Sequence, residues 1–320
     1  QIRAWSGRTL ADELDGIGDP MLRAVLGARW GDYGAPPASA PFIEHAWVTG
    51  AYNEGAYYPI GGPARFAQSL LPTVQAAGGQ CRLGATVRRI RVDNGRVTGV
   101  EVDQGGETVT EASQHVISAM GLANTVNCLD EDVAPEWRLA TGRLAPGYSY
   151  VALYLGLEGD LTGCGVNSAN HWISESVDAG SLWRHPADED APTLFVSFPS
   201  LKDPSWQGPP TAEVLAIVDQ QAFAPWLRGD PDAPDYEAFK DWITERLVAQ
   251  FGRHFPDLAS RVRFQEAATP LTQRRFVGAV DGSMYGVEMT IDRFGSDALR
   301  LRTPVPGLLL AGQEVMGPGV

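Results

Sequence analysis

The stretch Tyr57-Tyr58-Pro59-Ile60-Gly61-Gly62-Pro63, with the residues that follow it, decides how this chain is read. Gly61 and Gly62 precede Pro63, which suits a first helical turn, because proline there lacks only an N–H that has no partner anyway. Phe66, Leu70 and Val74 then recur four apart on one face, and Gly78-Gly79 ends the run. Pro72 falls inside this helix and is expected to kink or shorten it.

Toward the C-terminus, strand and turn chemistry alternate. Thr86 to Val92 is followed by Asp93-Asn94-Gly95, then Val97 to Val102, then Gln104-Gly105-Gly106, then Glu107 to Thr110. Asn-Gly is a strong hairpin signal because both residues tolerate positive φ, so the segment reads as an antiparallel meander. His115 to Gly121 is a short apolar run ending in glycine, as expected of a buried parallel strand returning to a main sheet. Leu308-Leu309-Leu310-Ala311-Gly312 has the same character. Glycine at the carboxyl end of a strand lets backbone approach a ligand, and open α/β sheets bind ligands outside those ends. A helix is expected to begin at Gly317-Pro318-Gly319-Val320.

The middle of the chain differs. Ser149 to Leu157 alternates Tyr150, Ala152 and Tyr154 against Val151, Leu153 and Leu155, and Leu194 to Phe198 and Val214 to Val218 are further candidate strands. A sheet with one aromatic and one aliphatic face either floors an apolar pocket or carries core on both sides. From Tyr236 to Phe255, the residues Phe239, Ile243, Leu247, Phe251 and Phe255 recur near every fourth position, with Asp235 as candidate N-cap and Pro256 as stop. The opposite face mixes Glu237, Lys240, Asp241, Glu245 and Arg253, so the stripe is expected on the sheet rather than on a membrane. Thr9 to Leu14 and Met21 to Val25 have helical spacing and precede a loop at Gly34 to Pro41, which together read as a small helical cap.

A net charge of −14 over 320 residues argues against nucleic acid as a partner, since phosphate binding needs clustered cations. The richest basic cluster, Arg88, Arg89 and Arg91, has acids nearby and reads as a solvated sheet face. Cys81, Cys128 and Cys164 have neither disulfide nor zinc spacing, which points to ordinary thiols in a reducing, cytoplasmic compartment. No run reaches the roughly 18 apolar residues of a spanning helix. Gln1 is not an initiator methionine, so the chain reads as a fragment or a processed product. His45, His115, His171, His185 and His254 show no ligand spacing, and no metal site is expected. With no hydrolase elbow, P-loop or HExxH pattern either, the residues favour a borrowed reagent, a cofactor whose atoms do the chemistry.

Several segments resemble one family in their order and spacing. They begin with Tyr58-Pro59-Ile60-Gly61-Gly62, Gly78-Gly79, Val87-Arg88-Arg89-Ile90, Val97-Thr98-Gly99-Val100 and Val116-Ile117-Ser118. They continue with Thr269-Pro270-Leu271-Thr272, Gly282-Ser283-Met284-Tyr285-Gly286, Thr303 to Leu308, and Ala311-Gly312-Gln313-Glu314 with Pro318-Gly319. The set resembles the phytoene desaturase-like flavoproteins, which include carotenoid isomerases and retinol saturases. The Gly-Gln-acid form at 312–314 looks most like that isomerase and saturase branch, with Glu314 where an Asp is usual.

The resemblance implies an α/β fold, α+β overall. Its parts are an incomplete FAD/NAD(P)-binding doubly wound domain with an inserted meander (45–147 and 300–320) and an antiparallel-sheet and helix substrate domain (1–44 and 148–299). It implies FAD as cofactor, with NAD(P) as a further candidate, and an apolar polyene as substrate. The backbone at Val87 would face the adenine, Gly312, Gln313 and Glu314 the diphosphate and ribityl chain, and Gly61 and Gly62 are added to the cofactor contacts. Pocket candidates are Tyr58, Tyr150, Tyr154, Met284 and Tyr285, the last either a wall or a proton donor; no other catalytic residue is indicated. The family's GxGxxG unit has no match here and is expected ahead of Gln1, with a terminal helix cut off, so this chain alone is expected to hold FAD weakly or not at all. The implied function is saturation, desaturation or isomerisation of a carotenoid- or retinoid-like polyene. A non-catalytic apolar-ligand module and a flavin amine oxidase stay open as alternatives, as does peripheral membrane contact; no protein partner is indicated.

Overall fold

A computed structural model describes residues 5–178, 180–315 and 317 of the chain. The strands are β1 (Ala85–Asp93), β2 (Arg96–Gln104), β3 (Glu107–Ala112), β4 (Val116–Ser118) and β5 (Ser149–Leu157), followed by β6 (His171–Ser174), β7 (Thr193–Ser197), β8 (Thr211–Val218), β9 (Val262–Ala268) and β10 (Leu308–Leu310). Packing divides the chain into two units. Unit 1 comprises 1–63, 147–284 and 289–291, and unit 2 comprises 64–146, 285–288 and 292–320.

Unit 2 contains the expected meander, β1-β2-β3, and a two-stranded parallel pair, β10-β4. The β1–β2 hairpin turns on Asn94 (φ 50°) and Gly95 (φ 73°), the left-handed pair that a two-residue loop requires. Acids do answer the basic face: Arg88 pairs with Asp103 at 2.9 Å, and Arg89 with Asp130 at 2.5 Å. In the parallel pair, Leu308 sits opposite Val116 and Leu310 opposite Ser118. Leu308 and Leu310 point into a core with Ile90, Leu122, Val126, Trp137 and Leu299, where the Trp137 indole donates to the Ala298 carbonyl at 2.9 Å.

Two features of unit 2 differ from expectation. The helix Ala64–Ala76 forms and runs on through Pro72, yet its apolar stripe is open, with Leu70 65% exposed. β4 was expected to be buried, but Ile117 is 67% exposed because only one face of the β4–β10 pair meets the core. The helix expected at Gly317 to Val320 lies outside the described residues apart from Gly317.

Unit 1 is built on a five-stranded antiparallel sheet in the order β6-β7-β8-β5-β9. Alternation sends Val151, Leu153 and Leu155 of β5, with Val214, Ala216 and Val218 of β8, to one face, where Ile243, Leu247 and Phe251 of the helix Pro234–His254 pack on them. The stripe therefore sits on the sheet. Asp235 is not the N-cap: Ala233 holds that place, Pro234 takes the first helical position, and Asp235 and Glu237 lie in the first turn, where negative charge suits the helix dipole. Strands β6 and β9 escape sequence reading. The first is four residues long, and in the second the outward Arg263, Phe264, Gln265 and Glu266 mask any alternation.

The other face of the sheet carries Tyr150, Ala152 and Tyr154, opposite Ile217, Leu215 and Glu213 of β8. The helices Leu10–Leu14 and Pro20–Gly27 form the expected cap, joined by a third, Phe42–Ala51, that the sequence reading did not give. Their core of Leu10, Trp30, Tyr33 and Leu182 reaches Tyr148 and Ile217 at one end of that face. The approach is close, since a Cβ on Gly31 would stand 2.8 Å from the Trp172 ring. His45 ties the cap together, its ring nitrogens 2.9 Å from the Tyr33 hydroxyl and 2.8 Å from the Leu26 carbonyl oxygen. Residues 45–63 accordingly pack within unit 1, and the boundary expected near 45 falls after Pro63.

Candidate functional site

Within unit 1 the opening stretch forms a type II turn. The Gly62 N–H donates to the Pro59 carbonyl at 2.9 Å, and Gly61 stands at φ 88°, the third position where that turn needs a left-handed residue. The Gly61 N–H donates to Asp203 Oδ2 at 2.9 Å, so the turn is pinned to the β7–β8 connection. Asp203 also accepts from the Ser205 hydroxyl at 2.6 Å and the Ser205 N–H at 2.9 Å, and these bonds, with that from Gly61, hold its carboxyl below the usual carboxylate range.

This places Tyr58 at the aromatic face of the sheet. A cavity of about 340 Å³ lies there, lined by Tyr58, Gly61, Tyr154, Trp206, Glu213 and Phe264, among others. Tyr154 sits between two acids on neighbouring strands, Glu213 on β8 and Glu266 on β9. Burial pushes the Glu213 carboxyl up, with Lys202 pulling the other way, and burial followed by the Glu213 charge pushes up the phenols of Tyr58 and Tyr154. Burial lowers the Lys202 ammonium, which donates to Asn170 Oδ1 and stands 5.9 Å from the centre of the Tyr58 ring. Ring walls around one half-buried acid suit an apolar molecule that carries a polar group.

The structure brings together only some of the pocket candidates. Tyr58 and Tyr154 share the cavity with Gly61 and Gly62. Tyr150, two residues back along β5, accepts from Gln273 Nε2 at 2.6 Å on the same face. Met284 is half-buried at the end of unit 1, its N–H donating to the Tyr148 carbonyl at 2.9 Å, whereas Tyr285 belongs to unit 2. Glu213, Lys202, Asp203 and Trp206 were not anticipated. The one available signal was Glu213, an acid among the alternate positions Thr211, Leu215 and Ile217 of an apolar strand.

In unit 2 the second cluster of candidates follows β10. Gly312 turns the chain at φ 97°, and the Glu314 carboxylate then accepts from the backbone N–H groups of Leu122 and of Val287, the latter at 3.2 Å. Two glycines make room for it: a Cβ on Gly286 would collide with Glu314 Oε1, and one on Gly121 would stand 3.4 Å from it. Arg293, 6% exposed, clamps the segment by donating to the carbonyls of Val287 at 2.6 Å, Gln313 at 2.9 Å and Glu314 at 3.1 Å. Val87 lies at a bulge in β1, its carbonyl 3.8 Å from Cys128 Sγ at the C-cap of the helix Leu122–Asn127. Leu122 opens that same six-residue helix, so Val87 and Glu314 mark its two ends, about 9 Å apart along the axis.

A meander beside a parallel strand pair, in one chain with an antiparallel sheet under a helical cap, defines a class: the α/β fold of FAD-dependent oxidoreductases with its substrate domain. A crystal structure of an oxidoreductase from Methanosarcina mazei superposes with a TM-score of 0.66 over 98% of this chain and 64% of that one, at 17% identity. The chain belongs to the flavin containing amine oxidoreductase family, which it matches over residues 6–320.

Its curated relatives narrow the family to the carotenoid isomerase and retinol saturase-like branch. The all-trans-retinol 13,14-reductase of Rattus norvegicus is 31% identical over 98% of this chain and 55% of its own length. The chloroplastic prolycopene isomerase of Arabidopsis thaliana is 27% identical over 84% of this chain and 44% of its own length. The chain spans about half the length of the curated relatives it matches.

Among the described residues no helix is long and apolar enough to cross a membrane, and no three His, Cys, Asp or Glu residues are grouped as metal ligands. Cys81, Cys128 and Cys164 are free thiols.

Proposed function

We propose that this chain is part of an FAD-dependent oxidoreductase that saturates, desaturates or isomerises a long isoprenoid polyene, with NAD(P) as a candidate redox partner. The observation that carries the reading is the tyrosine-lined cavity on the open face of an antiparallel sheet, in the same chain as a glycine-cleared backbone cradle at Glu314. Retinol and prolycopene, for which the relatives are named, are long apolar polyenes of the kind such a cavity suits.

The fit to a flavin dinucleotide rests on the cradle. The Leu122 and Val287 N–H groups hold the Glu314 carboxylate, Gly121 and Gly286 make room for it, and Arg293 holds the carbonyls of Gln313 and Glu314, so the backbone from Gly312 onward is fixed where it leaves the strand. Backbone held at a glycine-ended strand suits close approach by the sugar and phosphate part of FAD, so Gly312, Gln313 and Glu314 are the residues proposed to hold that part, with the Val87 backbone at the adenine. When bound, the flavin supplies hydride chemistry that no side chain of the chain offers. The chain's own contribution is to exclude water and align the substrate: Tyr58 and Tyr154 form ring walls, with Tyr150 on the same sheet face, while Met284 and Tyr285 follow one another where the chain passes between units.

The test is a flavin spectrum of the purified full-length protein that carries these residues, followed by anaerobic incubation with all-trans-retinol and with a carotenoid. Bound flavin and a changed polyene absorption are expected. Absence of both sinks the proposal. Residues 1–320 alone are expected to retain FAD more weakly than the full-length protein, because this family's pyrophosphate site depends on a helix N-terminus in the unmatched unit.

A further inference from the structure

Among the described residues the cavity in unit 1 has one carboxyl group without a hydrogen-bond partner, Glu213, and beside it the unbonded hydroxyls of Tyr58 and Tyr154. Asp203 is satisfied by Gly61 and Ser205, and Ser200 and Thr211 bond each other, with the Thr211 N–H 2.9 Å from Ser200 Oγ. Glu213 differs: among the described residues no donor lies within hydrogen-bond distance of its carboxyl and no cation within ion-pair distance. Lys202, the charge that acts on it most, is engaged with Asn170 instead. A half-buried acid costs stability unless something bonds to it, and here the group shares the cavity with Tyr58, Tyr154 and Phe264.

We infer that Glu213 anchors the terminal hydroxyl group of an isoprenoid alcohol whose hydrocarbon part lies along Tyr58, Tyr154, Trp206 and Phe264. The inference deepens the functional reading above and rests on unit 1 being the ligand-binding unit. Chemistry selects the hydroxyl. A plain hydrocarbon end leaves Glu213 unbonded, and a carboxylate end meets the like charges of Glu213 and Asp203. An ammonium end competes with the Lys202 charge, which already acts on Glu213 and stands 5.9 Å from the centre of the Tyr58 ring. A hydroxyl both donates and accepts, so it satisfies Glu213 whether the carboxyl is ionised or protonated.

The experiment needs no flavin, because Trp206 lines the cavity and reports occupancy by its fluorescence. Farnesol, farnesene, farnesylamine and farnesoic acid, which share one hydrocarbon and differ at the end group, are titrated into the wild-type chain and into Glu213→Gln, Glu213→Leu and Trp206→Phe variants. Farnesol is expected to bind about tenfold more tightly than farnesene, the scale of one hydrogen bond to a charged or buried acid. Glu213→Gln is expected to keep that preference, Glu213→Leu to abolish it without weakening farnesene, and Trp206→Phe to remove the signal. Equal wild-type affinities for farnesol and farnesene overturn the inference while leaving the polyene reading intact, and this comparison needs no variant to fold. Tightest binding of farnesylamine or farnesoic acid overturns it too, as does quenching that survives in Trp206→Phe. If none of the four ligands binds, unit 1 is not the ligand-binding unit and the functional reading falls with the inference.

Discussion

Glu213 shows how a single position departs from what its neighbours dictate. On β8 it occupies an outward slot of an alternating strand, where Leu215 and Ile217 follow it, and only its pairing opposite Tyr154 turns it into a cavity group. Its raised pKa has a consequence for stability. Below about 4.5, the ordinary value, Glu213 is protonated in folded and unfolded chains alike and its contribution is fully present. As pH rises through 4.5 the unfolded chain releases the proton first, and stability is lost until the pH passes the higher folded value. Lys202 opposes this, and Asp203, Glu266 and the phenols of Tyr58 and Tyr154 share the surroundings. Glu213→Gln is therefore expected to match wild type in melting temperature at acid pH and to exceed it near neutrality. A difference that does not vary with pH contradicts this account. The glycine at 95, by contrast, was readable in advance, because positive φ is a local demand that an Asn-Gly turn announces.

Among elements, two helices with the same written pattern end differently. Pro234–His254 and Ala64–Ala76 each repeat large apolar residues every fourth position, yet Leu247 is fully buried on the sheet while Leu70 stays open to solvent. In the 320-residue chain, Leu247→Ala is expected to cost about 2–5 kcal/mol by leaving a cavity. Leu70→Ala is expected to stay within about 0.5 kcal/mol, as an exposed substitution does. Denaturant midpoints of the two variants check this, and equal losses would show that the Ala64–Ala76 stripe is packed after all. The helices themselves were legible because the 3.6-residue period is a property of contiguous residues. Strands β6 and β9 were not, since they owe their existence to the neighbours they pair with, β7 and β5, rather than to any alternation of their own.

For the molecule as a whole, the cores are separate. One gathers Leu153, Val214, Leu247 and Phe251 in unit 1, and another gathers Ile90, Leu122, Trp137 and Leu308 in unit 2. Independent cores need not melt together, so calorimetry is expected to depart from two-state behaviour. Leu247→Ala should lower one transition and Trp137→Ala the other; a single transition moved by both would instead mark one cooperative body. The two-part organisation was expected from the sequence, but the boundary after Pro63 was not, because it is set by His45 reaching Tyr33 and Leu26 and by Asp203 holding Gly61, bonds between residues far apart in the chain.

By itself the sequence determined the meander, the parallel strand ending at Gly312, the long helix and the order of glycine-marked segments that points to a flavoprotein, since turn geometry and helical period depend on neighbouring residues alone. Only the tertiary structure decided which apolar stripe is buried, that Tyr58 and Tyr154 face one cavity, that Glu213 stands in it without a partner among the described residues, and that Glu314 is held by Leu122 and Val287. Burial and partnership depend on which distant residues the folded chain brings into register, and no local pattern encodes that.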